Sequence, residues 1–185
     1  MLALVLALTA VPAAEARSKP PVVMIVFDEF PADAILTPGG RIDARRFPGF
    51  AALARESTWF PNAHAVFDST LSAVPAILSG NAPSPKLVPS YHSHPRSIFT
   101  LLAGHGYRVR SWEEATILCP PRVCPRSRGY GDPTFNRLNR RRERLNATVA
   151  SVRRTRRPVF TFHHSLLPHQ PWIYLPSGRR RIDTQ

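Results

Sequence analysis

The sequence predicts an α/β protein, with a mixed, mostly parallel sheet covered by helices on both faces. Three observations carry that prediction. Val22-Val23-Met24-Ile25-Val26-Phe27 is a continuous apolar run, the pattern of a central parallel strand buried on both faces. Val159-Phe160-Thr161-Phe162 is a second run of that kind near the other end. Between them, helix-like and strand-like stretches alternate, which is the signature of strands laid side by side with helices packed over them. The 185 residues are 43% hydrophobic and 20% charged, which fits a globular chain with a sizeable core and not a disordered one.

The elements follow in order. Pro20-Pro21 precede the first strand, which ends on the adjacent carboxylates Asp28 and Glu29. The C-terminal edge of a strand is where open α/β sheets build their sites. A loop with Gly39-Gly40 leads to a helix around Phe47-Pro48-Gly49, on which Phe50, Leu53 and Ala54 share one face. A strand is expected over residues 58–65. Asp68-Ser69 then supply an N-cap for a helix from Thr70 to Ser79, and Gly80 stops it. A proline-rich connection, 82–95, precedes a helix near 96–103 and a strand at 107–112. Phe135, Leu138, Leu145, Val149 and Val152 mark the inner stripe of a long helix whose other faces are rich in arginine. The last strand ends on His163-His164.

Targeting and charge narrow the setting. Residues 1–16 form an apolar run closing on Ala14-Glu15-Ala16, a small-x-small pattern acceptable to a signal peptidase, but without a positive n-region. Residues 1–19 therefore read either as a signal peptide or as the remnant of a membrane helix, and both place the domain at 20–185 on the extracytoplasmic side, secreted or membrane-anchored. Cys119 and Cys124 frame a proline-rich loop; in that compartment they suggest a local structural disulfide, since no further zinc ligands are nearby. The net charge of +13 is concentrated in residues 122–185, which hold fifteen arginines against three acids. No nucleic-acid motif or interleaved stacking aromatic accompanies those arginines, so they are read as a solvated helix face, with no nucleic-acid partner.

Three segments deliver reactive groups after a strand or at a helix start: Asp28-Glu29, Thr70, and the pair His164 and His169. Singly, each is ordinary. Together they make one mechanism. Carboxylates are hard ligands for a divalent cation, for which zinc, calcium and manganese are equally open. A hydroxyl beside that cation is shifted toward the alkoxide and becomes a nucleophile. A helix N-terminus favours a bound anion, and imidazoles hold its remaining oxygens.

A family resemblance emerges from the same residues. The segment Phe47-Pro48-Gly49-Phe50-Ala51-Ala52-Leu53-Ala54-Arg55-Glu56-Ser57-Thr58-Trp59-Phe60-Pro61-Asn62-Ala63 resembles the sulfatase pattern Pro-Asn-Leu-x-x-Leu-Ala-x-x-Gly-x-x-Phe-x-Asn-Ala. Thr70-Leu71-Ser72-Ala73-Val74-Pro75-Ala76-Ile77-Leu78-Ser79-Gly80 is similar to the nucleophile helix, with Thr70 on the nucleophile position. His164-Ser165-Leu166-Leu167-Pro168-His169-Gln170-Pro171-Trp172 resembles a substrate-lining His-x-x-x-Pro-His-x-Pro-aromatic stretch. The resemblance implies the N-terminal portion of a sulfatase-like domain of the alkaline phosphatase superfamily. It assigns Asp28, Glu29 and Thr70 to one divalent metal ion, Thr70 to catalysis, and His164 and His169 to substrate.

Departures from the family pattern refine the expectation. Thr70-Leu71-Ser72-Ala73-Val74 lacks the Cys/Ser-x-Pro-x-Arg needed to make formylglycine, which turns the reading from sulfate esters toward phosphate esters of a lipid, glycan or small molecule. A proline five residues after the threonine resembles the phosphoethanolamine- and phosphoglycerol-transferring members. The family's remaining metal ligands, an Asp-His pair and a further His, are not found, so the domain is expected to be incomplete and this polypeptide inactive or nearly so. The alternative is a non-catalytic truncated product or one half of a split protein.

Overall fold

The computed structural model describes residues 19–129, 140–153, 155, 157–175 and 178–181. The leader-like segment 1–16 and the expected inner residues Phe135 and Leu138 lie outside the described residues.

The protein is α/β. Its strands are β1 (Val22–Phe27), β2 (Arg108–Glu113), the two-residue β3 (Arg128–Gly129) and β4 (Val159–Ser165), in spatial order β1-β4-β2-β3. Every pairing is parallel: Val22 sits beside Phe160 and Phe27 beside Ser165, while Arg108 sits beside Val159 and Glu113 beside His164. β4 is buried along its whole length. The double-sided burial expected for the first apolar run therefore belongs to the last one; β1 lies at an edge of the described sheet, with Val23 44% exposed. An apolar run reports burial, but not which of two such runs lies in the middle.

The four helices are α1 (Pro48–Arg55), α2 (Thr70–Ser79), α3 (Ile98–Gly104) and α4 (Arg141–Ser151). They cover both faces of the sheet. Phe99 of α3 packs its ring on Phe160 and Phe162, at 5.8 and 5.3 Å between centroids. Thr148 of α4 bonds His163. Side chains alternate along a strand, so α3 and α4 lie on opposite sides of β4. Val74 and Leu78 of α2 join Phe99, Val109, Phe160 and Phe162 in one core cluster, with Val22, Met24 and Val26 of β1 against it. That face is the one onto which the alternation projects Asp28 and His164.

Several local expectations are corrected. Residues 58–65 form turns and irregular chain, not a strand; Pro61-Asn62 break the run, and Trp59, Phe60 and Val66 are exposed. On α1 the inward residue is Ala51, while Leu53 is 63% exposed. Ser69 does occupy the N-cap of α2, but no side-chain bond is made there. Gly80 ends α2 as expected, in the left-handed conformation with φ of 72°, which a residue without Cβ adopts freely. The inward stripe of α4 is Arg141, Arg144 and Thr148, whereas Val149 and Val152 face outward.

Candidate active site

Asp28 is the first residue past β1, and its amide bonds the Ser165 carbonyl, 3.0 Å, so the parallel ladder fixes where its carboxylate emerges. Thr70 is the first residue of α2. Its hydroxyl donates to Asp28 Oδ1 at 2.9 Å, across 42 residues of sequence. Because Ser69 makes no side-chain cap, Thr70 opens the helix without a neighbouring hydroxyl competing for its first-turn amides. A cation-sharing arrangement requires the Asp28 carboxylate and the Thr70 hydroxyl to be adjacent, and they are.

His164, on the central strand, is fully buried, and both of its ring nitrogens lack a hydrogen-bond partner. Its Nε2 lies 3.8 Å from Asp28 Oδ2, too long for a hydrogen bond. Burial pushes the His164 pKa down, against the opposing pull of the Asp28 and Glu114 charges, while His163 and His169 add to the downward shift. The ring is therefore neutral at neutral pH, with one N–H to donate and one lone pair to offer.

Glu29 and His169 form a separate pair at the rim. Glu29 is in the left-handed region, φ 50°, and its half-exposed carboxylate lies 3.4 Å from His169 Nε2. The structure thus brings Asp28, Thr70 and His164 into one group and Glu29 with His169 into another. Among the described residues, no cluster of three or more His, Cys, Asp or Glu side chains is arranged to hold a metal ion.

A buried polar network under the site had no clear trace in the sequence reading. Glu114 accepts from Arg144 Nε at 2.5 Å and from the Leu166 amide at 2.8 Å. Its other neighbour, His163 Nε2, stands 3.6 Å away, an electrostatic contact more than a hydrogen bond. Burial pushes the Glu114 carboxyl up, but His163, Arg144 and the Leu166 amide together outweigh it and leave the group below its usual range. Thr148 bonds His163 Nδ1 at 2.6 Å, and Trp112 stacks on the same imidazole. Arg141 donates to the carbonyls of His169 and Gln170, at 2.6 and 3.4 Å. So α4, through two arginines, ties down the turn that follows His164 and the segment that carries His169. The available signal was the spacing of Arg141, Arg144 and Thr148, which puts all three on one helical face.

Glu114 is thus ion-paired with Arg144. Glu113 instead turns inward and gathers the loop to the cysteines, accepting from Ser111, Thr116 and the amides of Leu118 and Cys119. Cys119 and Cys124 are joined as a disulfide. No helix among the described residues is long and apolar enough to cross a membrane.

Comparison with models of known protein families, with curated proteins and with solved structures gives no match in any of the three.

Proposed function

We propose that the chain carries part of an extracytoplasmic, sulfatase-like phosphoryl-transfer or phosphodiester-hydrolysing site, with Thr70 as nucleophile. The observation that supports this reading best is the 2.9 Å contact between Thr70 Oγ1 and Asp28 Oδ1 at the start of α2. Asp28 and Thr70 would hold a divalent cation (zinc, calcium or manganese), with Glu29 at the rim, and that cation supplies the lowering of the threonine hydroxyl's pKa. The two oxygens fit the beginning of a hard-ligand set and leave further positions to donors outside the described cluster.

In this reading the Asp28 carboxylate takes the hydroxyl proton as Thr70 Oγ1 forms a bond to phosphorus. The P–O bond to the alcohol breaks, and the departing oxygen keeps the electron pair and takes a proton from water. The start of α2 offers backbone N–H groups to the phosphoryl oxygens. Neutral His164 donates a hydrogen bond from the buried side, and His169 holds the ester at the rim. A substrate with an anionic phosphate ester of a lipid, glycan or small molecule suits this set; a sulfate ester suits it less, because Thr70 cannot become formylglycine.

The test is covalent trapping. Because the chain is expected to turn over little or not at all, the readout is the single covalent transfer: the purified chain is incubated with Mn²⁺ and bis(4-nitrophenyl) phosphate, then mapped by peptide mass spectrometry. The expected result is a phosphoryl adduct on Thr70, abolished by EDTA and by Thr70→Ala and reduced at least about a hundredfold by Asp28→Asn. A folded chain that yields no adduct, or an unchanged adduct level in Thr70→Ala, overturns the reading and leaves the contact as an ordinary helix-start hydrogen bond.

A further inference from the structure

On the far side of β4 from Asp28, the outer edge of β2 borders a cavity of about 820 Å³, within the usual size range of small-molecule sites. β3 pairs only with Trp112 and Glu113, so among the described residues no strand pairs with the outer edge of β2 before them. Among the described residues four arginines line the cavity: Arg108 and Arg110 from β2, Arg122 and Arg126 from the disulfide loop. Among the described lining residues there is no Asp or Glu. Arg110 is anchored to the Ser151 carbonyl at the end of α4. Arg108, Arg122 and Arg126 are exposed, and among the described residues their side chains have no hydrogen-bond or ion-pair partner.

This is an unusual concentration of one sign of charge. Three unpaired guanidinium groups around one concavity repel each other, and each presents a planar fork that matches phosphate or sulfate oxygens bidentately. Trp112 also lines the cavity, and its buried indole N–H has no acceptor. Val109, Phe162 and Ala103 contribute an apolar wall, which gives the organic part of a ligand somewhere to lie. A bare anion uses the arginines and wastes that wall; a nucleic-acid strand needs an extended track of bases on several aromatic rings, and Tyr107 and Trp112 with Phe162 form no such track here.

We propose that this cavity is a binding site for a small organic ester bearing two or more phosphate or sulfate groups. It is separate from the Asp28–Thr70 group and independent of whether Thr70 is a nucleophile. The Cys119–Cys124 disulfide holds the wall that carries Arg122 and Arg126, so the site is complete only in the oxidised chain.

The test is calorimetric titration of the full chain in EDTA, at physiological salt, with ATP, with a disulfated heparin disaccharide, with pyrophosphate, and with adenosine as the uncharged control. ATP or the disaccharide binds, and which of them binds more tightly tells phosphate from sulfate; adenosine does not bind. Arg122→Ala/Arg126→Ala weakens the preferred ligand by about tenfold or more, Arg122→Lys/Arg126→Lys retains part of the affinity, and Asp28→Asn changes nothing. Both substituted arginines are exposed, and circular dichroism confirms that the fold is intact. Failure of both organic polyanions to bind overturns the proposal. So does an unchanged affinity in the alanine double variant, or tighter binding of a single-stranded oligonucleotide, which makes the face a nucleic-acid contact.

Discussion

His164 is the residue whose surroundings have the plainest consequence. Its folded pKa lies below the ordinary value of 6.5 because burial disfavours the imidazolium, and His94 is lowered for the same reason. Between the unfolded and folded pKa values the unfolded chain binds more protons than the native one, so stability rises with pH across that window. Urea unfolding is expected to give full stability above about pH 6.5, with a decline on acidification that has a limiting slope of about 1.4 kcal/mol per pH unit for each histidine. His164→Asn removes one histidine's share of that slope, and equal slopes in variant and parent contradict the burial argument. Glu114 acts lower on the scale: its depressed pKa contributes stability that is lost only as pH falls below its ordinary value of 4.5, so the two effects separate in one titration. At this scale the sequence was informative about Asp28, Thr70 and His164, because a strand end, a helix start and a final strand are each visible in local pattern. It did not reveal that Glu29 points to His169 and not to Thr70, since a left-handed φ at one residue redirects its side chain without changing the composition.

Among the elements, α4 departs furthest from its sequence pattern. An arginine-rich helix suggests a solvated surface, yet Arg141 and Arg144 are buried and the valines face out. What wins is partner availability: Glu114, just past β2, meets Arg144, and the carbonyls of His169 and Gln170 meet Arg141, and a buried guanidinium that finds acceptors is tolerated where an unpaired one is not. Glu114→Gln keeps the shape but withdraws the charge from Arg144, so it is expected to cost about 3–5 kcal/mol in chemical denaturation. A loss under about 1 kcal/mol shows that Arg144 is stabilised by its other contacts. By contrast α2 was legible to the residue, from Thr70 to Gly80, because a helix start after Ser69 and a glycine stop are local signals. The expected strand at 58–65 failed because Pro61-Asn62 interrupt its run with turn-forming residues. The disulfide closes a short loop on which Glu113 also converges; reducing it is expected to cost about 2 kcal/mol, checked by comparing thermal unfolding with and without reductant.

At the scale of the whole molecule, the α/β class and the two-sided helix layer were visible in the alternation of patterns, while the strand order was not, because two similar apolar runs compete for the middle of a sheet. The order β1-β4-β2 has a consequence for how the molecule is made. β1 and β2 do not pair with each other; β1 pairs with β4 alone among the described strands, β2 with β4 and the two-residue β3, and Val22 must wait for Phe160. A nascent chain emerging from its N-terminus therefore holds β1 unpaired, and β2 paired only with the short β3, until residues 159–165 arrive and the two long ladders close. Sheet formation is thus a single late event that depends on distant partners, the slow regime for folding and the one in which open edges stay exposed longest.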